Sequence, residues 1–114
     1  LGFIKMKTID RQEIYDKARA HGLKQMERCV DDSENCLYRG SDGLMCLIGA
    51  TIPDDKYKPE MEGKSDSDVD RDLQYDLTTD DKHFLNGLQK IHDVYFIEDW
   101  EEELNRFKQR WGLK

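Results

Sequence analysis

The sequence contains no apolar run approaching the roughly 18 residues that a membrane span requires, so no membrane segment is expected. Its opening residues lack the charged-then-apolar order of a secretory leader. There is no Cys-x-x-Cys and no His-x-x-x-His, the spacings that bring zinc ligands together in small domains. The three cysteines, Cys29, Cys36 and Cys46, are an odd number and cannot all pair within one chain. They read as reduced thiols, which suits a cytoplasmic protein. Apolar residues are scarce, at 37% against 38% charged, so the core must be small and the surface densely ionic. A length of 114 residues suits a single domain. Met6-Lys7-Thr8 looks like a natural start, which makes residues 1–5 an extension or tag.

Charge is present, and it is concentrated. Residues 54–81 hold eleven acidic and four basic side chains, which accounts for the whole net charge of −7. The remainder is balanced. A net acidic chain is repelled by phosphates, so nonspecific nucleic-acid binding is disfavoured. Residues 54–77, which follow Pro53, combine Pro59, a glycine, serines and many charges, and are expected to form an acidic irregular loop.

The flanking segments show helical patterning. Asp10, followed three residues later by Glu13, marks a helix start, and Ile9 and Ile14 are spaced as a staple across it. Gly22 interrupts this helix and marks a close crossing or an early end. Thr78 and Asp81 are spaced as a capping pair for a second helix, with Phe84, Leu85, Leu88, Ile91, His92 and Tyr95 on its apolar face. Ile97, Trp100, Leu104, Phe107 and Trp111 form the clearest helical stripe in the chain, with acids at its start and bases at its end. Residues 36–39 and 44–46 read as two short strands joined by Gly40-Ser41-Asp42-Gly43, a turn rather than a phosphate loop because it lacks a lysine. Residues 45–51 read as a short buried helix in which Gly49 and Ala50 admit another backbone closely. The fold class expected is α+β: a small, mainly helical domain with three principal helices and one short β-hairpin.

Candidate chemistry is thin. The run "DSDVDRDLQYDL" has early carboxylates in a calcium-loop pattern, but Arg71 and Leu77 stand where Gly and Glu are required. Cys46 at the start of a helical turn, paired with His92, would be the core of a small thiol-dependent or hydrolytic enzyme. Apolar neighbours on both sides of Cys46 argue for burial instead. No metal site and no cofactor is called for. The residues best suited to contact a partner are Asp54, Asp55, Tyr57, Asp66, Asp68, Asp70, Asp72, Tyr75 and Trp111, aromatic anchors beside charge.

The pattern "CLYRG-DGL-C-IG--IPDD-Y", followed by "P-MEG", resembles small bacteriophage and bacterial proteins. The resemblance covers residues 6–63 and implies a protein of a bacterium or an infected cell, without implying a reaction. By analogy with small acidic phage proteins, the expected function is that of a non-enzymatic binding protein. It would modulate or inhibit a host protein or defence complex. The alternative is the Cys46–His92 enzyme. A protein partner is expected, and a homodimer stays open.

Overall fold

The structure is a computed structural model that describes residues 7–114, with the backbone alone at Ser67. The start at Met6 and the extension 1–5 lie outside the described residues. Four helices form the frame: α1 (Arg11–Gln25), α2 (Asp66–Asp72), α3 (Thr79–Val94) and α4 (Trp100–Arg110). Among the described residues no helix is long and apolar enough to cross a membrane.

Helix starts follow the side-chain caps. The Glu13 N–H donates to Asp10 Oδ1 at 3.1 Å at the head of α1. Thr78 and Asp81 exchange both bonds of a capping box at the head of α3, each at 3.0 Å. Arg11 then reaches across from α1 to the same Asp81 at 2.8 Å. Burial opposes the Asp81 charge, but the Thr78 amide and hydroxyl and the Arg11 guanidinium outweigh it and hold the carboxyl below its ordinary range.

Helices α1, α3 and α4 pack through aromatic rings. Tyr15 stacks on Phe107 with centroids 6.1 Å apart, and Phe84 meets Phe107 at 5.1 Å. The Tyr15 hydroxyl donates to the Leu104 carbonyl at 2.9 Å, so the buried ring leaves no orphan oxygen. Trp100, Leu104 and Phe107 are all buried, as the stripe in the sequence requires.

Leu47 and Ile48 plug this helical core from residues 45–52. A β-carbon on Gly22 would stand 2.5 Å from Leu47 Cδ2, so the glycine marks the close crossing of α1 over the plug. The expected helix over residues 45–51 contracts to a turn closed by Ala50 N–H on the Cys46 carbonyl and a 3₁₀ turn at Gly49–Thr51.

Two expectations need correction. The described residues contain no strand ladder, so the fold is helical and not α+β, and the helices number four rather than three. The hairpin survives only as a single bridge between Arg39 and Met45. Its loss has a local cause. Cys46 N–H donates to the Tyr38 carbonyl at 3.3 Å, but the Tyr38 N–H turns away and donates to Glu62 at 2.7 Å. The reciprocal bond that would extend a ladder is thereby diverted.

The acidic segment is not wholly irregular either, because α2 lies within it. Ser65 caps α2 by accepting the Asp68 N–H, and Asp66 and Asp68 sit where the helix dipole favours acids. Fully buried Val69 anchors α2 in the core.

Gly49 is the position least tolerant of change. A β-carbon there would fall within the Tyr38 carbonyl group and only 2.9 Å from the Tyr38 Cα. Gly49→Ala is expected to destabilise the protein by about 3 kcal/mol, the upper end for overpacking, because backbone must move. Urea unfolding of the two proteins measures it; an unchanged midpoint would remove Gly49 from the list of packing constraints.

Candidate functional site

The polar face of α3 forms one wall of a cleft of about 490 Å³. His83, Asn86, Gln89 and Asp93 line this wall, while Cys36, Tyr38 and residues 63–66 line the other. Gln89 organises the floor. Its Oε1 accepts the Ile48 N–H at 3.2 Å, which fixes the orientation of the amide. Its Nε2 then donates to Cys36 Sγ at 2.9 Å and to Asp93 Oδ1 at 3.1 Å.

His92 lies behind, 1% exposed. The Cys29 N–H donates to His92 Nε2 at 3.0 Å. That bond leaves the ring proton on Nδ1, where it is donated to Asp93 Oδ1 at 2.7 Å. Burial works against the Asp93 charge, but the His92 and Gln89 donors prevail and keep this carboxyl below its usual range.

Cys36 stands 4.0 Å from the same Nδ1. Its thiol pKa is pushed up by the neighbouring Cys46 thiol and by burial. Cys29 is pushed up to about 11, chiefly by burial. These are protonated thiols, weak as nucleophiles.

This geometry bears on both chemical readings. Cys46 is fully buried, and its sulfur accepts the Gly49 N–H at 3.2 Å. It acts as the cap of the turn in the plug. The thiol beside His92 at the cleft is Cys36, and the imidazole presents it a nitrogen that already bears a proton. His92 therefore has no free lone pair with which to take a thiol proton.

A metal meets the same obstacle. Cys36, His92 and Asp93 bring donor atoms within 4.8 Å of one another, which matches metal-binding chemistry by residue type. Coordination through Nδ1 requires the proton on Nε2, where it would point at the Cys29 N–H. The three residues fit a proton-sharing network and do not fit a metal.

The acidic residues singled out from the sequence do not form one surface. Asp54 is exposed and pairs with Arg39 at 2.9 Å. Tyr57 lies under the Arg39 guanidinium, 5.3 Å from its centre, and donates to Glu62. Asp55, Asp72 and Tyr75 meet along a second hollow of about 940 Å³, beside Lys56, Lys58 and Lys64. Asp68 pairs loosely with Arg71 at 3.7 Å. Trp111 is half-buried, edge-on to Phe84 at 5.3 Å and covered by Arg11 at 5.0 Å. Only Asp66 faces the cleft, where it accepts from the Tyr38 hydroxyl at 3.0 Å. Asp70 turns inward and is 5% exposed.

Asp66 and Asp70 are raised carboxyls. Burial pushes Asp66 up to about 6 against the pull of the Tyr38 hydroxyl, with Asp93 adding repulsion. Burial pushes Asp70 up to about 7, with Asp66 and Asp81 adding. The cleft residues that sequence reasoning did not place in a site are Cys36 and Gln89, whereas Asp93 is one of the two carboxylates, with Asp80, that could orient His92, and it is the one that does. Gln89 and Asp93 stand one turn apart on α3, a spacing that was the available signal.

Two measurements follow from these groups. A raised carboxyl costs stability once it is ionised in the folded state, so the Asp70 penalty grows as pH rises from near 4 to about 7 and then levels off. Asp70→Asn should raise the urea midpoint most above pH 7, less at pH 5, and not at all below pH 4. A pH-independent gain would show that the charge is not the cause. Cobalt added to the reduced protein should give no thiolate-to-cobalt absorption band; a band lost in Cys36→Ser would overturn the tautomer assigned to His92.

No family model matches the chain, and neither a curated protein nor a solved structure matches it.

Proposed function

We propose that the protein is a non-enzymatic binding protein that modulates another protein, in the bacterial or phage setting that the sequence motif implies. The observation that carries this reading is the run Val94-Tyr95-Phe96, where Val94 is 61% exposed and Phe96 69%. Single exposed apolar residues are ordinary on a protein surface. Here three are consecutive, in a chain with few apolar residues to spare.

The run is also held rigidly. Arg28 donates to the His92 carbonyl at 3.1 Å and to the Tyr95 carbonyl. Trp100 Nε1 donates to the same Tyr95 carbonyl at 3.3 Å. Arg28 thereby brings residues 26–30, with exposed Met26 and Val30, against the end of α3. A surface already ordered loses little entropy on binding. Asp31, Asp32 and Glu34 follow Val30, and Asp93 and Glu98 flank the aromatic pair, all exposed. An apolar centre with an acidic margin suits a partner surface that is apolar with basic residues around it.

The enzymatic alternative draws no support from the site, since Cys46 is buried as a cap and His92 presents a protonated nitrogen. The acidic residues at 54, 55, 68 and 72 contribute through long-range attraction to a basic partner and not as contact anchors.

The test is affinity capture from bacterial lysate with the wild-type protein and Phe96→Asp side by side, with light scattering on both. A partner held by the wild type should be retained about 30-fold less by Phe96→Asp, which corresponds to about 2 kcal/mol for one buried aromatic ring. Capture that is indifferent to Phe96 would sink the reading. So would a wild-type dimer that Phe96→Asp dissociates, because the run would then be covered by a second copy.

A further inference from the structure

We propose that the cleft seats a guanidinium-bearing side chain of the partner, an arginine, between Asp66 and Asp93. This rests on the protein-binding reading and names what the partner inserts. Both carboxylates line the cleft, on opposite walls. Asp66 spends one oxygen on the Tyr38 hydroxyl, and Asp93 spends Oδ1 on His92 and Gln89. No hydrogen bond reaches the second oxygen of either residue from the described residues. Asp70 lies one helical turn behind Asp66, 5% exposed and outside the lining of the cleft. When ionised, its carboxylate adds to the negative potential at the opening.

The protein's own cations do not neutralise this group. Lys64 lines the cleft, but its ammonium is drawn away to Asp72 at 2.7 Å. Lys82 and His83 stand exposed on the first turns of α3, at the mouth. A guanidinium is planar, weakly hydrated and carries five donors, so it can serve two carboxylates at once while its faces lie along Tyr38 and the Cys36 thiol. A volume of about 490 Å³ accommodates the whole side chain. Asp93 immediately precedes the exposed Val94, so the cleft and the apolar run border each other. One partner segment with an aromatic-binding pocket and an arginine nearby would engage both.

The probe is N-acetyl-arginine methylamide, titrated into the isolated protein and followed by amide chemical shifts. Its control is the citrulline analogue, which keeps the shape and loses the charge. The arginine compound should shift the amides of residues 63–66 and of Asn86, Gln89 and Asp93 at millimolar concentration, and the citrulline compound should not. Asp66→Asn, shown to be folded by its melting curve, should weaken binding at least fivefold. Binding should also weaken about tenfold from pH 7.5 to pH 5, as the Asp66 carboxyl, near 6 in the free protein, takes up its proton.

Equal shifts with citrulline overturn the proposal, as do shifts confined to residues outside the cleft or an unchanged affinity in Asp66→Asn. The titration needs no partner, so its failure leaves the Phe96 result standing. Failure of the Phe96 test would leave an arginine-binding cleft without the proposed docking surface.

Discussion

Residues 26–65 contain no helix longer than a single turn and no strand ladder, yet Cys29, Tyr38, residues 46–49 and Ile52 are buried. Buried amides and carbonyls need partners, and here side chains from elsewhere supply them. Gln25 holds both the N–H and the carbonyl of Met45. Gln89 takes the Ile48 N–H, His92 takes the Cys29 N–H, and Glu62 takes the N–H groups of Tyr38 and Arg39. Four polar side chains thus do for this half of the chain what hydrogen-bonded ladders do for a sheet. The cleft borders the same arrangement, because Gln89, on the polar face of α3, turns inward to the loops while His92 reaches them from the buried face.

That inward turn explains what could be read from the sequence and what could not. The helix starts at Asp10 and Thr78 and the stripe from Trp100 to Trp111 depend on residues within a turn of one another, and all were legible. Gly49 was legible too, as a point of close approach. The hairpin was misread because the residue that dismantles it, Glu62, lies 24 positions from Tyr38. No local rule registers that distance. Helix α2 was hidden by its own composition: eight acids crowd residues 54–72, and they concealed the Ser65 cap and the pairing of Val69 with Leu73. In the site, Cys46 drew attention for its place at a helical turn, whereas the cleft exposes Cys36. Gln89 was overlooked because a glutamine on a helix ordinarily faces water.

The acidic surplus divides into two populations with different physics. Asp54 and Asp72 sit on the surface beside Arg39 and Lys64, where salt screens them and their contribution to stability is small. Asp66 and Asp70 point toward α3 and face Asp93 and Asp81 in a less polar setting. There the same charge is costly. Groups that are costly in the free protein are often those a ligand relieves, which links the electrostatics of α2 to the cleft it borders.

Glu62 has a further bearing, on the entropy of closing the chain. Its carboxylate joins the Tyr38 N–H, the Arg39 N–H and the Tyr57 hydroxyl at one point. Residues 36–46 have little pairing of their own. Their Tyr38 and Arg39 amides find partners only when the chain closes a loop of more than twenty residues onto that carboxylate. The contact that fixes the Tyr38 and Arg39 amides thus carries the loop-closure entropy of the whole stretch between residues 38 and 62. The most signature-like stretch of the sequence therefore depends for its shape on a residue outside it.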